Sequence, residues 1–230
     1  MQIRISALIF SAVLLCGCAR ADEIAKHALP SPVVDESAGS TTETAVFAGG
    51  CFWGMQGVFQ HVKGVSAVVS GYSGGSKPEG GYEEVSTGTT GNAESIRIIF
   101  DPHQVSFGQL LRVLFSVMDP TALDYQGPDQ GTQYRSAVFA TSLMQAKIAH
   151  AYIAQLTKAR RFGAPIVTEV TPFKAFFQAE DYHQDYLIHH PDQPYIAYND
   201  LPKVAALKSL YPMLWREKPV MVFASRKSEF

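Results

Sequence analysis

"AVFAGGCFWGMQGVF", residues 45–59, runs from an apolar stretch through a glycine pair into a cysteine and two large aromatics. Residues 44–48 read as a strand, and 53–61 as a helix that ends before Gly64. Cys51 therefore stands where a strand turns into a helix. Unpaired N–H groups and the helix dipole favour an anion there, so the expectation is a lowered thiol pKa. Gly49 and Gly50 allow the close approach or positive φ that such a turn requires. A buried, inert cysteine fits this stretch equally well, so the rest of the chain has to decide.

Outward from the turn, "VSAVVSG" (65–71) is a second strand, followed by the turn-rich "YSGGSKPEGG". "ESIRIIFDP" (94–102) is a strand stopped by Asp-Pro. "SFGQLLRVLFSVMD" is a helix with Ser106 as its N-cap, and Ser142 caps a longer helix after the strand "SAVFAT" (136–141). "PIVTEVTPF" is strand-like and "AEDYHQDYL" a short polar helix. Strands alternating with helices at these lengths predict an α+β fold. The expected architecture is a two-layer α/β sandwich with a mixed sheet, a ferredoxin-like core and an irregular C-terminal tail.

The N-terminus has another character. A basic "MQIR" precedes the apolar "ISALIFSAVLL", about the length of a signal-peptide core and too short for the roughly 20 residues of a bilayer span. Leu15-Cys16-Gly17-Cys18 resembles a bacterial lipobox, with Cys18 as the acylated residue, although Cys16 is unusual in it. Cleavage after Ala19-Arg20-Ala21 is the rival reading, and a buried N-terminal helix the bland one. Both leader readings imply export to the bacterial cell envelope, as a lipid-anchored or a soluble periplasmic protein. The expected organisation is a leader over 1–18, a flexible linker over 19–43, a catalytic domain over 44–200 and a tail over 201–230.

The chain has three cysteines, Cys16, Cys18 and Cys51. Either leader reading removes or blocks the first two, leaving Cys51 as the one usable thiol of an exported protein. A formal net charge of −2, with no basic stripe, zinc-finger spacing or phosphate-binding loop, offers nucleic acid no footing. His183, His189 and His190 could supply a base for Cys51, but no second sulfur ligand accompanies them and their spacing fits no zinc pattern. Capping or surface histidines are their bland reading.

"GGCFWG" is similar to the signature of the A-type peptide methionine sulfoxide reductases. "GVSAVVSGYSGG", "GYEEVSTGTTGNAESIRIIFDP", "GPDQGTQYRSAVF" and "FKAFFQAEDYHQDYL" resemble its further blocks in the right order, covering roughly residues 44 to 200. The resemblance implies reduction of the S epimer of methionine sulfoxide, free or in proteins, through a Cys51 sulfenic acid. It implies Glu94 as the acid, Tyr82 and Tyr134 as donors to the sulfoxide oxygen, Asp129 as an ordering carboxylate, and Phe52 and Trp53 as walls around the substrate methyl. No bound cofactor or metal is implied, and a monomer is expected.

Three departures matter. Gln56 stands where the family usually has Glu, and Asn92 where His is frequent; both are expected to have modest effects. The tail also lacks a resolving cysteine, so an external thiol, small or thioredoxin-like, must reduce the sulfenic acid. Two other readings differ in kind: a cysteine hydrolase or acyltransferase using Cys51 with His183, and a ligand-binding lipoprotein in which Cys51 is structural.

Overall fold

A computed structural model describes residues 28–37, 39 and 41–223; the leader and Cys18 lie outside the described residues. The central strand is β1, Glu43–Gly49. It is apolar without alternation because both of its faces are covered. Ala45 and Phe47 enter the main core beneath the helices, while Val46 and Ala48 pack with Ala93, Ala137 and Phe139 on the other face.

The next elements are α1 (Phe52–Gln60), β2 (Val65–Ser73), α2 (Gly81–Ser86) and β3 (Ala93–Phe100). They are followed by α3 (Phe107–Val117), a small hairpin of β4 (Tyr125–Gln126) and β5 (Asp129–Gln130), and β6 (Ser136–Ala140). Then come α4 (Leu143–Lys158), β7 (Glu169–Pro172), β8 (Phe176–Gln178), the short α5 (Tyr186–His189) and α6 (Leu201–Leu210). The main sheet has the order β7-β6-β1-β3-β2-β8. Its inner strands β6-β1-β3-β2 are antiparallel, and β6 pairs parallel with β7. The path β1-α1-β2-β3-α3-β6 with that spatial order is the expected ferredoxin-like core, and the added strands make the sheet mixed.

Both expected helix caps form. Ser106 Oγ accepts from the Gln109 N–H at 3.1 Å while the Gln109 side chain accepts from the Ser106 N–H at 2.9 Å. Ser142 Oγ accepts from the Gln145 N–H at 3.1 Å.

Two expectations are corrected. Residues 28–36, read as part of a flexible linker, lie fastened across the helices. The Leu29 N–H donates to Tyr211 Oη at 3.1 Å, and its carbonyl accepts from Arg112 Nε at 2.6 Å. The carboxylates of Asp35 and Glu36 take the Gly108 and Phe107 N–H groups at the start of α3, where an anion is favoured. Composition could not show this, because the partners lie far away in the chain. The tail is also not wholly irregular. Residues 201–210 form α6, with Pro202 in its first turn and Leu207 buried in the core. Among the described residues beyond it, 211–223 form no further helix or strand; Trp215 makes an isolated antiparallel bridge with Val62 and stacks on His61 with ring centroids 4.3 Å apart.

Candidate active site

Cys51 caps α1, with φ −49° and ψ 122°. The turn before it needs glycine at residue 50. There φ is +86°, and a Cβ would lie 2.5 Å from that of Gln126. Glu94 reaches the same place through strand register. Ala48 pairs with Ser95, so the next residue of β3, Glu94, comes opposite Gly49 at the end of β1. It shares parity with Ile96, Ile98 and Phe100, all buried in the main core beneath the helices.

A cavity of about 140 Å³ opens at this corner. Cys51, Glu94, Tyr82 and Tyr134 line it, as do Phe52, Trp53 and Asp129. Every residue assigned to catalysis or substrate contact is thus on one wall or another. The wall also includes Tyr195, which the sequence reading did not single out; its hydroxyl donates to Asp129 Oδ2. The only hint was its place after Pro194 in a Tyr-rich tail.

The electrostatics correct one expectation. The Cys51 thiol is pushed up, not down: burial dominates, the Glu94 and Asp200 charges add to it, and the Trp53 N–H opposes it only in part. A second first-turn donor is already engaged, since the Phe52 N–H donates to Glu94 Oε2 at 2.9 Å. Glu94 is 3% exposed. Burial, against the Phe52 hydrogen bond and reinforced by Asp129 and Asp200, raises its pKa to about 8. At neutral pH it is a carboxylic acid with one oxygen on Phe52 and the other able to donate. Burial also raises the Tyr82 and Tyr134 phenols, with the Glu94 charge next, so both are neutral donors.

His183 is neither on the surface nor a base for the thiol. It is 2% exposed and does not line the cavity. Its Nδ1 accepts from Trp53 Nε1–H at 3.1 Å, which assigns the ring proton to Nε2. The ring packs on Phe52 and Tyr82, with centroids at 5.0 and 4.6 Å. Trp53 is held on its other side by Tyr186, stacked at 4.0 Å. His183 therefore sets the aromatic walls, and with its accepting nitrogen occupied it leaves the hydrolase reading without its base.

The departures at Gln56 and Asn92 have structural work. Gln56 is buried; its amide nitrogen reaches the Val68 carbonyl and Gln184, and its oxygen takes the Asp185 N–H at 2.8 Å. Asn92 braces the glycine turn through the Gly75 N–H and the Ser76 carbonyl. Among the described residues Cys51 is the only free cysteine, and no group of His, Cys, Asp and Glu could hold a metal.

A lone thiol, a protonated carboxyl and two phenols around a small aromatic-walled cavity define a thiol-dependent oxidoreductase site. Residues 43–212 match the peptide methionine sulfoxide reductase family, and the chain belongs to it. Peptide methionine sulfoxide reductase MsrA 2 of Mesorhizobium japonicum is 59% identical over 193 residues, covering 84% of this chain and 99% of that protein. The methionine sulfoxide reductase A structure of Corynebacterium diphtheriae superposes with a TM-score of 0.58 at 34% identity, covering 71% of this chain and 83% of that one. Reduced Mxr1 of Saccharomyces cerevisiae gives a TM-score of 0.61 at 29% identity, covering 70% and 92%.

Proposed function

We infer that the protein reduces methionine (S)-sulfoxide, free or in polypeptides, to methionine, and repairs oxidised proteins. The observation that carries this is the cavity in which Cys51, a protonated Glu94 and the phenols of Tyr82 and Tyr134 meet the walls of Phe52 and Trp53. A sulfoxide oxygen leaves only when protonated. Glu94 supplies one proton and the thiol the second as its sulfur attacks the sulfoxide sulfur, so the oxygen departs as water and a Cys51–sulfonium adduct forms. Water then attacks the Cys51 sulfur, its proton returns to Glu94, and methionine leaves Cys51 as the sulfenic acid. The positive sulfur formed on the way is favoured beside the faces of Phe52 and Trp53.

Cys51→Ser is expected to abolish reduction of the S epimer, and the R epimer is expected to be a poor substrate for either protein. One turnover without added thiol leaves one sulfenic acid per chain, trapped by a dione probe. Appreciable turnover by Cys51→Ser would refute the mechanism.

The reductant is an external thiol, either a thioredoxin-like protein or a small thiol. The absence of a cysteine after Cys51 supports this reading, because the sulfenic acid has no later thiol in the chain to close on. Thiol-dependent turnover that persists with Cys16 and Cys18 both replaced by Ser is the expected result. The basic start, the apolar run and Leu15-Cys16-Gly17-Cys18 support export and acylation of Cys18, hence a lipid-anchored periplasmic protein. Intact-mass measurement of the exported protein distinguishes a diacylated Cys18 terminus from cleavage after Ala21.

A further inference from the structure

The turn that carries Tyr195 into the cavity ends, after Ile196–Asp200, on a carboxylate with no assigned role. Asp200 is 0% exposed and directly precedes α6, where its side chain makes no capping hydrogen bond. It lies against the first turn of α1, where a Cβ on Gly54 would come within 2.1 Å of its Oδ1. Lys203 Nζ donates to that same oxygen at 2.9 Å, while Oδ2 has no partner among the described residues. A buried carboxylate with one unpaired oxygen costs stability, so its placement behind the reactive helix calls for a reason.

We propose that Asp200 is a positioning residue for the reaction, storing negative charge behind the first turn of α1 and thereby setting the charge state of Cys51 and Glu94. Reduction of the sulfoxide needs both groups to hold their protons until the substrate arrives. A thiol kept protonated is also a poor target for adventitious oxidants, which matters where no second thiol rescues it. The charged and titratable groups around Cys51 are Glu94 from β3, Asp129 from β5, and the phenols of Tyr82, Tyr134 and Tyr195. Asp200 and its cation Lys203 complete them from the C-terminal segment. Asp200 acts on both Cys51 and Glu94 in the same direction and more strongly than Lys203 opposes it. Burial raises the Asp200 carboxyl itself, and the ion pair with Lys203 at 2.9 Å pulls it back toward the charged form.

The test is Asp200→Asn, which keeps the shape and an acceptor for Lys203. Alkylation by iodoacetamide, followed on the Cys51 peptide by mass spectrometry across pH, reads the thiol directly. Its midpoint should fall by about one pH unit, a roughly tenfold faster reaction at pH 7. The alkaline limb of kcat/KM should move down by a similar amount, because Glu94 loses its proton earlier. A merely structural aspartate would lower rate or stability and leave both midpoints in place, and that result overturns the proposal. If D200N is not recovered folded, the neutral pair D200N/K203M is measured instead, with the same direction, a smaller change and the same overturning result. The kinetic arm rests on the sulfoxide reductase reading; the alkylation arm does not, so their failures are distinguishable.

Discussion

The Phe52 N–H donates to Glu94 Oε2 at 2.9 Å, so the first turn of the nucleophile's own helix holds the acid in place. The hydrogen bond pulls the carboxyl toward ionisation, but burial overrides it and the group stays protonated at neutral pH. Thiol and acid are thereby fixed relative to one another before substrate enters.

Glu94→Gln keeps an acceptor for the Phe52 N–H and removes only the proton. Loss of kcat by about 10²–10⁴-fold is expected, with near-UV circular dichroism unchanged. Steady-state kinetics on a chiral sulfoxide peptide measure it.

A pKa raised to about 8 has two consequences of fixed sign. Activity depends on the protonated acid, so kcat/KM should fall as pH rises through about 8. For stability, the folded state holds a proton that the unfolded state has lost above its ordinary carboxyl pKa. Stability is therefore greatest below that ordinary value and declines as pH climbs to about 8. The decline is at most ~1.4 kcal/mol for each pH unit crossed, a few kcal/mol in all. Urea titrations of the parent protein and E94Q at pH 5, 7 and 8.5 should show a flatter profile for E94Q.

Tyr195 and Asp129 should behave as one unit. Tyr195→Phe removes the donor to a carboxylate at the cavity wall, and a loss of roughly tenfold or more in kcat/KM is expected. Asp129→Asn should cost a comparable amount. The double variant should lose clearly less than the two combined, as a double-mutant cycle would detect.

His183→Ala deletes the acceptor for the Trp53 indole and the ring between Phe52 and Tyr82. The substrate wall loosens while the thiol and the acid remain. KM should rise severalfold, with a smaller change in kcat, and stability should drop by about 1–3 kcal/mol. A base role would instead collapse kcat at constant KM.

Asp35→Ala tests whether the segment before β1 belongs to the folded domain. It removes an anion from the start of α3 and should cost about 1 kcal/mol in thermal or urea unfolding. Since Asp35 does not line the active-site cavity, kcat and KM should be unaffected.

Residues 45–59 by themselves determined the strand, the turn and the helix, because glycine pairs and apolar runs act over a few neighbours. Ordered motifs likewise singled out Cys51, Glu94, Tyr82, Tyr134, Asp129, Phe52 and Trp53, which line one cavity. Three things were decided only by tertiary structure. The thiol's position at a helix start argued for a lowered pKa, yet burial beside Glu94 and Asp200 raises it, and burial is a property of the packed molecule. Tyr195 and Asp200 come from a stretch without helical periodicity, and they matter because the chain returns there to the start of α1. His183 looked like a surface histidine until the fold placed it between Trp53, Phe52 and Tyr82. Local pattern fixes which backbone forms; the charge state of a buried group depends on what the rest of the chain brings against it.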